Sequence, residues 1–323
     1  MKKIVSLFAI IGFFMIMLIF PRQTFEGANN GLLLWFQIVL PTLLPFIILS
    51  NLLIHTNSVT YISSIIKPFV QSLFRVSDYG CYAIFVGFLC GYPMGAKVVA
   101  DLIQTEKISG EEGQYLLSFC NNTSPMSIIS FIVMQNLKNE SLLLGTLVIL
   151  YLVPVLCSFL FRRFYKCQTR MSYVPTSDNT FHFNFQIFDT CIMNGFETIT
   201  RVGGYIILFS ILFSICETLP YTQYVLPFLE ITNGIHWISN NIQPLYISFP
   251  LILTLTSFGG LCAIAQTNSM IQESNLSILP YIIQKLITAL VTSLLQLFTF
   301  NLFINKVYTK FSFHSASRFV RNL

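Results

Sequence analysis

Four polar, helix-breaking clusters interrupt apolar stretches of membrane length, and they fall in the same order in the two halves of the chain. In the first half, Gly91-Tyr92-Pro93-Met94-Gly95-Ala96-Lys97 breaks one apolar run and Cys120-Asn121-Asn122-Thr123-Ser124-Pro125 breaks the next. In the second half, Glu230-Ile231-Thr232-Asn233-Gly234 is followed by Ser257-Phe258-Gly259-Gly260, with Gln266 just beyond. Backbone that leaves the helix inside a bilayer is tolerated only where it is buried in protein or lines a cavity. Paired breaks in corresponding halves point to a secondary transporter built from inverted repeats. The pattern predicts an all-α polytopic membrane protein with two re-entrant helical hairpins and two broken transmembrane helices. Its expected task is to move a small polar solute.

Composition agrees with a membrane setting. Of 323 residues, 54% are hydrophobic and only 10% charged, and the mean hydropathy is +0.70. A soluble domain carries about 25% charged residues. The apolar runs are continuous rather than alternating, which argues against a β-barrel. The net charge is +5, but Arg162, Arg163, Lys166 and Arg170 crowd one short loop directly after an apolar segment. That is a positive-inside signal rather than a nucleic-acid surface, so lipid is an expected partner and nucleic acid is not. The eight cysteines form no CxxC pair and no histidine stands at zinc-ligand spacing, so no metal site is expected. Most of the cysteines lie in apolar runs and read as small buried residues.

Along the chain, spans are expected at Ile4 to Phe20, Leu32 to His55, 113–134, 141–161, 202–219, 244–266 and 278–304. The first reads as an uncleaved span with its N-terminus in the cytoplasm, since no small-residue cleavage site follows it. Residues 59–76 carry Ile62, Ile65, Ile66, Phe69, Val70 and Leu73 at helical spacing and predict an amphipathic interfacial helix. Residues 79–104 and 221–240 predict the hairpins, with the second tip at Asn233-Gly234; residues 182–200 read as amphipathic. The whole chain, 1–323, reads as one membrane domain. Repeats at 31–161 and 182–305 are joined by a basic loop at 162–181. On a seven-span count the tail with Lys306, Lys310, Arg318 and Arg321 falls outside, against the positive-inside bias.

The chemistry expected at the breaks follows from half-helix ends, whose free N–H groups attract anions and whose free C=O groups attract cations. Gly91, Tyr92, Pro93, Lys97, Asn121, Asn122, Thr123 and Ser124 are the candidate solute contacts of the first half. Glu230, Thr232, Asn233, Ser257 and Gln266 are those of the second. Packing is the competing role for each small or hydroxylated residue. Lys97 is weighed as a partner for a solute carboxylate against pairing with Asp101 at i+4, and Glu230 as a hydrogen-bond acceptor or cation ligand. No catalytic residues are expected. The chain has no GxxxxGK[ST], HExxH or GxSxG motif, which disfavours ATP-driven transport by this chain alone and catalysis.

At these residues the sequence resembles the YlbJ-type sporulation integral membrane proteins, also called stage V sporulation protein V. The likeness rests on GYPMGAKVVADL from Gly91, LLSFCNNTSPMSI from Leu116, LEITNGI from Leu229 and SFGGLCAIAQ from Ser257, within roughly residues 31–300. The resemblance implies a nucleoside-recognition or Gate-type domain similar to the core of concentrative nucleoside transporters. There, two hairpins and two unwound helices enclose the solute, and a sodium ion or proton drives uptake. By that likeness Gly91–Lys97 and Leu229–Ile235 match hairpin tips, and Cys120–Pro125 and Ser257–Gln266 match unwound helices. The base- and ribose-binding signatures of those transporters have no match here. The resemblance further implies passage of dipicolinate, a flat aromatic dianion, across the outer forespore membrane during sporulation. Ion-coupled nucleoside or nucleobase transport, or a non-transporting scaffold of the spore envelope, are the other expectations, and a homo-oligomer is compatible with each. No cofactor is expected beyond a coupling sodium ion or proton.

Overall fold

Fourteen helices account for most of the chain in the computed structural model, which describes residues 2–56, 58–165 and 184–296. No strand occurs among these residues. Helix α1 (Lys2–Ile19) leads into α2, one continuous helix over Pro21–His55 that passes through a π-helical turn at Trp35–Val39. The helix therefore begins at Pro21, well before Leu32, where the span is expected to start. Pro21 explains this: at the first helical position it lacks only an N–H that has no intrahelical partner anyway. Helix α3 (Val59–Phe74) is the expected amphipathic element, with Ile65 and Phe69 exposed and Val59 and Phe74 buried.

The first hairpin is α4 (Asp78–Cys90) and α5 (Met94–Gln104), joined through Gly91–Pro93. The first broken helix is α6 (Gly110–Cys120), an unwound stretch at Asn121–Ser124, and α7 (Ser127–Leu137), which is wound as a π-helix. Helix α8 (Leu143–Phe161) then spans without a break in its helical assignment. In the second half, α9 (Phe185–Glu217) is followed by α10 (Leu226–Leu229) and α11 (Ile231–Asn241), then by α12 (Leu245–Phe258) and α13 (Gly260–Ile271). Helix α14 (Ile278–Gln296) closes the described residues. The sequence of long helix, hairpin, broken helix and intact span thus occurs twice.

Two expectations are corrected. Residues 182–200 and 202–219 are not separate elements: from Phe185 they form one 33-residue helix. Gly203 and Gly204 do not break it, because α2 packs antiparallel along its length and Trp35 fills the space at Gly203 while donating Nε1–H to the Ile199 carbonyl at 2.9 Å. Gly27 against Ile211 and Gly31 against Ile207 continue this close contact, as small residues do between membrane helices. The second hairpin turns at Glu230, and Asn233 and Gly234 lie in the first turn of α11. The basic stretch from Lys166 to Arg170 and the C-terminal tail lie outside the described residues.

Among the described residues, five helices are long and apolar enough to cross a membrane, or six if α3 and α4, bent by 94° at their junction, form one span. The expected N-terminal span contains a shorter apolar piece, Ile10–Ile19, and the expected span at 113–134 overlaps another, Ser127–Leu137. Side-chain orientation supports the same conclusion. On α14, Gln284, Lys285, Thr288, Thr292 and Gln296 are buried while Leu279, Ile283, Leu286, Leu290 and Leu294 are exposed. In water this helix would be inside out; in lipid the arrangement is the expected one. The chain is an all-α polytopic integral membrane protein.

Gly91 and Gly95 fix how closely the first hairpin docks. Gly91 has φ +85°, and a Cβ there would also lie 2.7 Å from the Ser124 nitrogen. A Cβ on Gly95 would lie 2.5 Å from the Cys120 carbonyl oxygen. Gly95→Ala is therefore expected to destabilise the protein by about 1–3 kcal/mol through overpacking. Gly204, in the exposed interior of α9 with nothing within 4 Å, should instead gain about 1 kcal/mol on Gly204→Ala. Thermal unfolding in detergent distinguishes the two, and equal shifts would contradict the tight α5–α6 contact.

Candidate solute pathway

Three cavities follow one another along α9. Asn194, Thr198 and Arg201 line the first, Val202 and Ile206 the second, and Ser210, Ser214 and Glu217 the third. At 1.5 Å per residue, Asn194 to Glu217 covers about 35 Å, the depth of a bilayer core and its edges. Helix α2 lines the same three in reverse order, with Asn51 and His55 at the first, Leu34, Ile38 and Leu43 at the second, and Asn30 at the third. The end cavities measure ≈ 350 and ≈ 300 Å³ and the central one ≈ 110 Å³.

The two hairpins meet this axis from opposite ends. The first lines the Asn194 end through Lys97, Asp101 and Gln104 of α5, and its tip residues Gly91 and Tyr92 reach the central cavity. The second lines the far end through Asn233, His236 and Asn240 of α11, and its tip residues Glu230, Ile231 and Thr232 reach the same central cavity. Thr42, Thr123, Ser124, Ser127 and Gln266 add further polar groups to the centre. Seven of the sequence-derived candidates, Gly91, Tyr92, Thr123, Ser124, Glu230, Thr232 and Gln266, thus share one cavity.

The remaining candidates lie elsewhere. Pro93 sits at the turn before α5, where its carbonyl accepts the Lys97 N–H at 3.0 Å. Lys97 is in the first end cavity, ion-paired with Asp101. Asn233 is at the opposite end and donates to Ser210 Oγ at 3.2 Å. Ser257 and Thr292 exchange a hydroxyl hydrogen bond at 2.8 Å between α12 and α14. Asn121 is fully buried and donates to Thr267 Oγ1 at 2.8 Å and to the Tyr281 hydroxyl at 3.0 Å. Its Oδ1 accepts the Ala96 N–H at 3.4 Å. One amide therefore ties the first hairpin, α13 and α14 to the unwound strand. Asn122 donates to the Phe119 carbonyl and accepts from Lys285 Nζ at 3.0 Å.

Two carbonyls of the unwound stretch, those of Thr123 and Ser124, find partners within the protein, as buried backbone groups require. Tyr151 from α8 donates to the Thr123 carbonyl at 3.1 Å and to the Phe88 carbonyl at 3.3 Å. The Ser124 carbonyl accepts the Ile128 N–H at 3.0 Å, and its hydroxyl accepts the Ser127 N–H at 3.2 Å. At the second tip the Glu230 carboxylate accepts the N–H groups of Thr232 at 3.1 Å and Asn233 at 2.9 Å. It acts as the N-cap of α11, a use of this carboxylate that differs from the solute or cation contact weighed above.

The sequence reading missed Lys285, Tyr281, Thr267 and Tyr151. For Lys285 a signal existed: a lysine within an apolar span, with threonines three and seven residues on, marks a buried polar stripe. The others are single hydroxyl residues in apolar helices, and only the fold brings them to the unwound strand.

The chain is similar to the sporulation integral membrane protein YlbJ of Bacillus subtilis (strain 168), with 27% identity over 307 residues covering 83% of this chain and 75% of that protein. No family model matches the chain. No solved structure matches it either.

Glu230→Ala removes both bonds to the N-terminus of α11. It should lower stability by about 0.5–2 kcal/mol, with Glu230→Gln falling between it and the unsubstituted protein. Thermal unfolding in detergent measures this; an undiminished midpoint for Glu230→Ala would mean that the carboxylate does not serve as the cap.

Proposed function

We propose that this chain is a membrane transporter or facilitator of a small anionic metabolite, and that the metabolite is dipicolinate, crossing the outer forespore membrane during sporulation. The observation that carries the reading is the file of three cavities along α9, with both hairpin tips converging on the middle one. A scaffold has no need of polar side chains and unwound backbone gathered at mid-membrane, whereas a carrier does. Similarity to a sporulation integral membrane protein supports the cellular setting. Under this reading residues 31–161 and 182–305 are repeats of opposite orientation within a single domain, and the chain is not an enzyme.

The central cavity, ≈ 110 Å³, is small against the roughly 300–1,000 Å³ of ligand pockets in general. Passage therefore requires the tips to part, one toward each end cavity in turn. Charge orients the route. Arg162 bonds the Leu73 carbonyl and Lys67 pairs with Asp78, so both lie toward the mouth of the first hairpin. Lys97, Lys107 and Arg163 lie toward the same end, whereas Arg22 and Lys138 stand at helix termini on the other side. The positive-inside bias then puts the Lys97 cavity in the mother-cell cytoplasm.

Purified protein in proteoliposomes should move dipicolinate, and Thr232→Trp, which fills the central cavity, should cut the flux at least tenfold while end-cavity variants do not. Flux of uridine in place of dipicolinate would establish the nucleoside reading, and flux of neither would favour the scaffold. In right-side-out vesicles a membrane-impermeant maleimide should label Asn240→Cys and not Gln104→Cys. The reverse pattern would invert the orientation, and equal labelling of both from one side would exclude opposed hairpins.

A further inference from the structure

Lys285 is 2% exposed, in the middle of a helix whose other face is apolar and outward. An ammonium carries three donors. The one side-chain acceptor described for it is Asn122 Oδ1 at 3.0 Å, and its Nζ also lies 5.8 Å from the centre of the Tyr281 ring. No carboxylate forms an ion pair with it among the described residues. Other cations near the proposed route are neutralised: Lys97 by Asp101 and Arg201 by Glu197. The carboxylate at the centre, Glu230, spends its charge on two backbone N–H groups at a helix N-terminus. Among the described residues around the centre, the buried basic group without an ion-pair partner is thus Lys285, which meets the unwound strand at Asn122.

Asn122 links that charge to the centre. It is followed by Thr123 and Ser124, both of which line the central cavity. We infer that Lys285, acting through Asn122, is the positioning residue that gives the central cavity its preference for anions, and that the solute's carboxylate is the counter-charge the lysine lacks. This rests on the transport reading above and goes beyond it by naming the source of charge selectivity, which is not Lys97. Removing a buried counter-charge is costly in either direction, so the lysine and an anionic solute stabilise each other across the strand. Ser124 lies within roughly 7 Å of Asn122 along the backbone. At an effective dielectric near 20, a unit charge about 10 Å away changes binding of each solute charge by roughly ten- to thirtyfold.

The test is binding of three planar pyridines of different charge, the dianion and the neutral probe sharing one shape: dipicolinate, picolinate and the neutral pyridine-2,6-dicarboxamide. Lys285→Gln should weaken dipicolinate most, picolinate less and the diamide hardly at all, while Lys285→Arg should keep the order shown by the unsubstituted protein. Asn122→Asp gives a second route should Lys285→Gln fail to fold: it retains the lysine but places a carboxylate against it, and it should show the same charge-graded loss. A loss equal for all three probes in whichever variants fold overturns the inference and leaves the transport reading standing. Unsubstituted protein that binds neither anion overturns both.

Discussion

Unwound backbone at membrane depth has to be satisfied by the protein itself, and the architecture around the centre follows from that demand. Four residues, Asn121 to Ser124, leave the helix between α6 and α7. Each unpaired N–H or C=O in hydrocarbon costs several kcal/mol. Tyr151 reaches in from α8, Ser124 restarts the helix through its own hydroxyl, and Asn121 binds α5, α13 and α14 at once. These contacts join residues up to 160 positions apart in the chain. The strand is therefore the point through which the two halves are held in register.

The first hairpin depends on the same strand. Its tip approaches Ser124 through Gly91, and its second arm rides over Cys120 through Gly95. On the other side, Gly260 lies where a Cβ would meet the Phe228 carbonyl at 3.3 Å and the Ile231 nitrogen at 3.5 Å, so the second tip docks on the second break in a related way. Each hairpin is thus seated on the broken helix of its own half, while α2 and α9 pass both. A tip that moves must slide against unwound backbone, where side-chain hydrogen bonds can be exchanged more readily than a helix ladder. That makes the breaks suitable points for a two-position element.

What the sequence disclosed depended on whether a local residue type decided the structure. Gly91-Tyr92-Pro93, Asn121 to Pro125 and Gly259 marked real breaks, because glycine conformations and proline geometry act at their own positions. The second tip was misplaced by three residues. Asn233-Gly234 has the composition of a turn, yet Glu230 can cap the following helix with its side chain and so the chain turns there instead. The division of 182–219 failed for a tertiary reason: Trp35, from another helix, occupies the groove beside Gly203 and holds α9 straight. Lys97 adjoins a motif and so drew attention, whereas Lys285 stands outside all four clusters. Of the two roles weighed for Lys97, the structure shows the i+4 pair with Asp101, while among the described residues no carboxylate pairs with Lys285, a fact that only the fold reveals.

The balance of charge across the centre gives the arrangement a direction of cause. A buried lysine and a buried glutamate would neutralise each other if they met, and the site would then present no net field to a solute. Here Glu230 is bound to the N-terminus of α11, where the helix dipole and two N–H groups offset it. Lys285 is held on the far side of the unwound strand by Asn122. Keeping them apart forgoes the stabilisation of an ion pair: Glu230 lines the central cavity itself, whereas Lys285 meets the strand at Asn122, next to the cavity-lining Thr123 and Ser124. On the transport proposal, the second tip would move with its own carboxylate already bound to α11, so its displacement would not drag an unpaired carboxylate through apolar surroundings. The strand that faces it stays with α8 and α14, fixed by Tyr151, Tyr281 and Lys285. On the transport proposal, a tip whose carboxylate is already bound by its own helix, facing a strand held by Tyr151, Tyr281 and Lys285, would let an anion leave without the protein stranding a charge of its own in the membrane.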